Sequence, residues 1–398
     1  MRLSSEELEK VKEKYHVEEL WSYSRLDTFH TSPYLFFLKY VKHEQPKKDI
    51  VSPYGIIGGA VHSVLEKYYN GEIKYGDMLE EFRTEYMTQI ELFGLKFNNV
   101  DEKLNQSIAM KYKTDLEHFF ENYKPVDTKH EMERFLVTEI QPGLVINGYA
   151  DDIYKDSDGN YVINDFKTSS KSGFSGEKLK EKAAQVIIYA KALEQLGVPA
   201  NKIKAQFNML RYCNVDIIQK NGKSKVSTIE RCQIGEKLQQ KAAMWLKETE
   251  LSEEEQNEIL ALMIQNNTIE HLPDNVKNKF DIKDCYIVID DPLSMYDDLR
   301  KEIIDIVSEI DNRMHEWKEK HDDQVWWDDE ESVEKNSYFL IQISEYSIEQ
   351  HRPLAAYCDR LAKEEEEKRA AQDLLGVTKK TTAGDDDLSW LDELVGEG

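Results

Sequence analysis

The sequence predicts an α/β protein in which a small mixed sheet lies centrally and is wrapped in helices. Three observations predict it. Residues 135–140 (FLVTEI), 144–154 (LVINGYADDIY) and 161–168 (YVINDFKT) follow one another as short β-branched and aromatic runs, the last two joined by the turn DSDGN at 156–160. A helical stretch from Glu177 to Leu196, closed by Gly197 and Pro199, leads into another strand-like run at 203–212. Charged, helix-patterned stretches at 76–124 and 234–335 flank these strands, so the order is α, then β, then α.

The elements follow in order. The chain opens on a helix, then a loop to Trp21. A second helix is expected behind Ser24 as N-cap, carrying Leu26, Phe29, Tyr34, Leu35, Phe36 and Phe37 and interrupted at Ser32-Pro33. A Pro/Gly loop, Val51 to Gly55, precedes GIIGGAVHSVLEKYYN (55–70), which takes helical spacing after Gly59. Two or three surface helices fit 76–124. After the strand at 203–212, NGK (221–223) turns the chain into a hairpin partner at 225–232. The stretch 234–335 reads as helical, with LSEEE (251–255) a capped start. KEEEEKR (363–369) extends a helix, VTKKTTAGDDD is linker-like, and SWLDELV (389–395) is a short acidic-hydrophobic motif.

With 40% hydrophobic and 10% aromatic residues the chain can bury a core, which excludes wholesale disorder. No apolar run reaches the length of a membrane span, and the opening MRLSSEELEK is charged, unlike a signal peptide. A cytoplasmic protein is therefore expected. Cys213, Cys232, Cys285 and Cys358 form no CxxC pair, which excludes a disulfide framework or zinc knuckle. The net charge of −25 excludes a protein that coats nucleic acid through general positive potential. It does not exclude a nuclease, whose metal site needs clustered carboxylates. The acidity is densest at Asp385, Asp386, Asp387, Asp392, Glu393 and Glu397.

Residues able to do chemistry fall in four ordered pieces. His62 is on the helix after the glycine loop, and Asp151 follows Gly148 at the end of the second strand. Asp165 and Lys167 stand two apart on the third strand, and Gln185 and Tyr189 four apart on the next helix. Alternate strand residues point the same way, so Asp165 and Lys167 share a side while Phe166 turns to the core. Across the hairpin, Asp151 and Asp165 would meet at an exposed edge of the sheet. Two carboxylates so placed repel unless a cation or proton lies between them. Mg²⁺ or Mn²⁺ suits such oxygens, and His62 would add a borderline nitrogen. Lys167 would orient or help deprotonate a water and steady charge on a phosphate, an arrangement that hydrolyses a phosphodiester.

Neighbouring residues have plainer readings. Glu66, one turn beyond His62, either supports the site or, more simply, pairs with Lys67 or solvent. Asp152 competes with Asp151 for the metal role, but alternation sends it to the opposite side and the Gly148 spacing favours Asp151. Asp156, Asp158 and Asn160 resemble a calcium loop, but Gly159 is misplaced and Lys167 stands where the twelfth-position Glu belongs, so this is a turn. Glu131 and Glu133 precede the first strand and receive no role. Arg25 and Arg211 either contact phosphate or, by default, are solvated. Gln185 and Tyr189 either pack their helix or touch the site. The acidic end is either solubilising disorder or, through Leu388, Trp390, Leu391 and Leu394, a short helix for a partner's groove.

GGAVH (58–62), GYAD (148–151), NDFKT (164–168) and QVIIYAKAL (185–193), with SYSRLDTFHTSPYLFFLKY (22–40) before them, resemble the successive motifs of the RecB-type branch of the PD-(D/E)XK nucleases, CRISPR-associated RecB-like exonucleases included. The resemblance covers residues 22 to 212, and its strength is the order of four individually weak motifs. It implies a restriction-endonuclease-like core with helical insertions and a helical C-terminal part. It makes His62, Asp151, Asp165 and the Phe166 carbonyl metal ligands, Lys167 the catalytic lysine, and Gln185 and Tyr189 a pair touching the site or the DNA strand. Many relatives clamp an iron–sulfur cluster by four cysteines. Here Ser32, Ile341 and Ser344 stand where cysteines are expected, so no iron–sulfur cluster is expected, and residues 338–358 should pack on the N-terminal helix instead.

The expected organisation is a nuclease core over 1–233 with a helical insertion at about 63–130. A helical region at 234–362 would return to pack on the core, ahead of a charged helix end and acidic tail at 363–398. The implied function is a Mg²⁺- or Mn²⁺-dependent DNA nuclease, an exonuclease by resemblance, in recombination, repair or replication. Its partners would be single- or double-stranded DNA, a protein at the tail around Trp390, and a separate helicase or recombinase, since no GxxxxGK[ST] occurs here. The alternative is a partner-dependent or inactive scaffold recruiting proteins through that tail. A cluster-less chain of this kind would fit a virus or mobile element, in a host cytoplasm.

Overall fold

The computed structural model describes residues 2–43, 53–92, 94–97 and 101–326. Its strands are β1 (Trp21–Ser22), β2 (His130–Gln141), β3 (Leu144–Lys155), β4 (Tyr161–Lys167), β5 (Ile203–Ile218), β6 (Ser224–Glu230) and β7 (Phe280–Ile289). The helices before the main strands are α1 (Ser5–Tyr15), α2 (Tyr23–Thr31), α3 (Pro33–Phe36), α4 (Pro53–Tyr69), α5 (Met78–Tyr86) and α6 (Glu102–Asn122). After β4 come α7 (Gly176–Gln195), α8 (Ile234–Leu246), α9 (Glu253–Gln265), α10 (Asp274–Lys277) and α11 (Tyr296–Lys320).

Among the described residues all seven strands form one mixed sheet. β2, β3 and β4 make an antiparallel meander, and α7 carries the chain across to β5, which pairs β4 in parallel from Tyr161↔Ile203 to Lys167↔Met209. The sixteen-residue β5 then serves three neighbours: β4 along its first half, β6 along its second, and β7 along both. β4 thus lies between β3 and β5 instead of at the sheet edge, although its pairing with β3 runs from Tyr161 to Asn164 and Asp165 to Lys167, just beyond it, are paired with β5.

Several expectations are corrected. Trp21–Ser22 is a short strand parallel to β3, so Ser22 and not Ser24 caps α2, its Oγ accepting from the Arg25 amide at 3.3 Å. The glycines before His62 are not a loop. Pro53 occupies the first turn of α4, and Gly55, Gly58 and Gly59 lie inside that helix. β7 was hidden in a stretch read as helical, because Asp281, Lys283 and Asp284 break the apolar alternation of DIKDCYIVI. Other expectations hold. Ser252 and Glu255 form the reciprocal cap of α9, and at 156–160 Asp156 Oδ1 accepts from the amides of Asp158 (2.9 Å) and Asn160 (2.8 Å), closing a hairpin turn. Residues 338–358 and the tail from 363, with the contacts expected of them, lie outside the described residues.

Among the described residues three apolar clusters hold the fold. The largest joins α2, α7 and α11 to the sheet and includes Trp326, which is fully buried and stacks on Phe37 (5.2 Å between ring centroids) and Phe36 (6.0 Å). The second joins α4, α5 and α6 to Phe166 and Leu210, and the third lies where α8 and α9 cover the far end of β5. In that third cluster a Cβ on Gly235 would stand 2.3 Å from the Met263 carbonyl oxygen and 2.9 Å from Ile264 Cα. Both obstacles are backbone and cannot swing away. Gly235→Ala is expected to destabilise by roughly 1–3 kcal/mol despite alanine's better helix propensity. Urea unfolding checks this, and an unchanged or raised midpoint would contradict it.

Candidate functional site

The β3–β4 register brings the two acidic motifs together. Asp152 is the partner of Asn164, so one step further along the antiparallel pair Asp151 stands opposite Asp165. The Phe166 amide donates to Asp151 Oδ2 at 2.9 Å, which pins that carboxylate to the end of β4. Phe166 itself is buried in the second cluster, as strand alternation demands. Its carbonyl meets His62 Nε2 at 3.0 Å, a contact between residues 104 apart in the chain. The other ring nitrogen, Nδ1, lies 3.7 Å from Asp151 Oδ1. His62 therefore bridges the Asp151 carboxylate and the Phe166 carbonyl.

Glu133 completes the group, and it is the residue that sequence reasoning passed over. Ligand atoms of His62, Glu133 and Asp151 all lie within 4.8 Å of one another. The backbone explains how Glu133 arrives there. It adopts φ 47°, in the left-handed region, between the paired residues Met132↔Asp152 and Arg134↔Ala150. A side chain at such an angle costs of order 1–3 kcal/mol, and conformations of that kind concentrate at functional sites. Burial and the nearby Asp151 charge push the Glu133 carboxyl above its ordinary range, with His62 and Arg2 opposing. Counting alone would not have placed it: from the Pro142-Gly143 turn the pairing Gln141↔Leu144 would set Glu133 across from Asp152, and the register shift between Glu139 and Gln141 moves it to Asp151.

If Nε2 carries the proton donated to the Phe166 carbonyl, Nδ1 presents a lone pair to the two carboxylates. Two oxygens and a nitrogen converging as acceptors fit a divalent cation, and the histidine's second nitrogen is held by a carbonyl as in metal-binding histidines. Asp165 stands beside this trio, not within it. It is buried, and its Oδ2 lies 3.1 Å from Lys167 Nζ. Lys167 ends β4 and is partly accessible.

Gln185 and Tyr189 form one chain of contacts. Gln185 Nε2 donates to the Tyr189 hydroxyl (2.9 Å), which donates to the Tyr149 carbonyl (2.8 Å) on β3, two residues before Asp151. Burial raises the Tyr189 phenol, which therefore stays protonated as that donor. The arrangement also accounts for Gly148, since a Cβ there would stand 2.5 Å from the Tyr189 hydroxyl and 2.9 Å from Cε1. Gly148→Ala is expected to push the phenol off β3 and lower any turnover at Asp151 roughly tenfold or more, with the chain still folded. Comparison with Tyr189→Phe checks the route: an alanine variant as active as the wild type would sever the link between these two motifs.

The remaining residues are structural. Asp152 is fully buried and turned away, taking His130 Nδ1 at 2.8 Å and Asn164 Nδ2 at 3.1 Å. Arg25 pairs with Glu19 and lies over the Trp21 ring at 4.2 Å, so it is not solvated. Arg211 is buried against Asp115 (2.9 Å). Lys67 is taken by Glu81 (2.5 Å) and Glu85 (3.4 Å), while the Glu66 charge reaches Glu133. No described helix is long and apolar enough to cross a membrane.

Residues 20–278 match the family model described as the PD-(D/E)XK nuclease superfamily. No curated protein matches the chain.

Proposed function

The chain belongs to the PD-(D/E)XK nuclease superfamily, and from that premise we propose that it is a metal-dependent deoxyribonuclease of the RecB-like branch. In this reading it is an exonuclease serving recombination, repair or replication, in the cytoplasm. The residues that would hold a divalent ion, Mg²⁺ or Mn²⁺, are His62, Glu133 and Asp151, with Asp165 beside them and the Phe166 carbonyl orienting the imidazole. Such an ion supplies Lewis acidity at the phosphate and eases deprotonation of water. The carrying observation is the convergence of a helix histidine, a strand carboxylate and a strand carbonyl at 3.0 and 3.7 Å around His62.

The chain's own groups divide the remaining work. Lys167, 3.1 Å from Asp165, offers an ammonium that can donate to a phosphate oxygen and stabilise the charge developing there. The Phe166 amide holds Asp151 by one oxygen and leaves the other facing His62. Gln185 and Tyr189 hold β3 in place behind Asp151. The acidic motif around Trp390 would recruit a protein partner, and any helicase or recombinase motor would be a separate chain.

The test uses end-labelled single- and double-stranded DNA incubated with the pure protein in Mg²⁺, Mn²⁺ or EDTA. Metal-dependent cutting, with a product ladder receding from one end, supports the exonuclease. No cutting in any metal would transfer the assignment to a partner-dependent enzyme or a recruiting scaffold.

A further inference from the structure

The N-terminal residues lie beside the acidic cluster. The Leu3 amide donates to the Tyr149 hydroxyl at 2.7 Å, and the Arg2 guanidinium lies over the Tyr149 ring, 5.7 Å from its centroid. Tyr149 is two residues from Asp151, and its carbonyl is the one Tyr189 holds. The Arg2 charge also reaches Glu133. α1 buries no residue, so this end of the chain is held by its contact with Tyr149 and not by a core of its own.

Arg2 differs from two of the lysines of α1. Lys10 and Lys12 of α1 are taken by Glu6 (2.9 Å) and Glu9 (2.7 Å). Arg2 is exposed and, among the described residues, makes no ion pair with a carboxylate. In a chain with 77 acidic residues against 52 Lys and Arg, a cation kept out of ion pairs at the rim of a carboxylate cluster stands out. The net charge repels a polyanion, so a strand approaching this cluster needs local positive contacts. A guanidinium matches phosphate oxygens with two parallel donors, and stacking on Tyr149 orients it at little further entropic cost.

Building on the nuclease reading, we infer that Arg2 is a substrate-positioning residue that holds a backbone phosphate of the bound nucleic-acid strand adjoining the phosphate at the Asp151 cluster. The Leu3–Tyr149 hydrogen bond anchors it. The plainer alternative, a solvated arginine, predicts no effect on either binding or turnover.

The experiment measures binding of a fluorescein-labelled oligonucleotide, single- and double-stranded, to the full chain in Ca²⁺ over a salt series. The proteins are wild type, Arg2→Ala, Arg2→Lys and Lys10→Ala, with cleavage in Mg²⁺ measured in parallel. Arg2→Ala should weaken binding roughly fivefold and make the slope of log affinity against log salt shallower by about one. Arg2→Lys should recover part of the loss as a point charge, Lys10→Ala should change little, and KM should rise with kcat unchanged. Equal affinity and slope for Arg2→Ala and wild type would overturn the inference whatever the cleavage arm shows. An equal loss in Lys10→Ala would overturn it too, since only overall charge would then matter. Binding that depends on Arg2 with no cutting keeps the inference and removes the nuclease reading, and a wild type that neither binds nor cuts removes both.

Discussion

Lys167→Ala is expected to reduce metal-dependent DNA cleavage by a factor of about 10² to 10³ or more while the protein remains folded. The reasoning is geometric. Lys167 is the last residue of β4, and its ammonium lies 3.1 Å from Asp165 Oδ2, beside the position where Asp151, Glu133 and His62 converge. A positive charge held there acts on the transition state more than on the bound substrate, so kcat should fall and affinity for DNA should change little. Asp165 calls for a gentler substitution. It is buried and its strand pairs with β5 there, so Asp165→Asn, which keeps the shape, separates catalysis from folding better than Asp165→Ala. Circular dichroism and unfolding midpoints of each variant, beside turnover, check the result. Wild-type turnover in folded Lys167→Ala, prepared free of host nucleases, would remove Lys167 from the reaction.

Arg231→Met should produce the largest loss of stability, roughly 3–5 kcal/mol. Arg231 is fully buried between the second and third clusters. Its Nη2 meets Asp284 Oδ1 at 2.6 Å, its Nε donates to the Leu210 carbonyl at 2.9 Å, and its Nη1 meets His118 Nδ1 at 3.3 Å. Burial, reinforced by the arginine's charge, pushes His118 down to about 3, so the imidazole is neutral and can accept. Burial pushes the Asp284 carboxyl up, and Arg231 is the main charge pulling it back. Without the arginine, Asp284 rises further above its unfolded value. An acid with a raised folded-state value destabilises the fold at neutral pH and is relieved as pH falls through that value. The stability gap between wild type and Arg231→Met should therefore be widest near neutrality and narrow on acidification. Urea unfolding over a pH series measures it. A gap below about 1 kcal/mol at neutral pH, or one that widens in acid, would contradict the account. Adding Asp284→Leu should recover part of the loss, because the stranded charge is then gone.

These predictions separate what local pattern reveals from what packing reveals. The meander, its DSDGN turn and helix α7 were legible because alternation and turn chemistry act over a few residues. The same alternation placed Asp151 and Asp165 on facing strands and set Asp152 apart. His62 could be put on a helix but not in contact with Phe166, because that contact spans 104 residues and depends on how α4 seats against the sheet.

The sequence alone, through its ordered motifs, determined an α/β protein with a small mixed sheet and the strands that carry Asp151, Asp165 and Lys167. Tertiary structure alone decided the rest. It placed β4 inside the sheet and added β7, whose charged residues make sense only once Asp284 meets Arg231. It required Gly148, because Tyr189 occupies the space of a side chain. It brought Glu133 to Asp151 and His62 through a left-handed residue that no strand propensity would choose. The physical reason is common to all of these. Periodicity reports which way a side chain faces along its own element, whereas a site is made where elements distant in sequence are forced together by burial of their apolar faces.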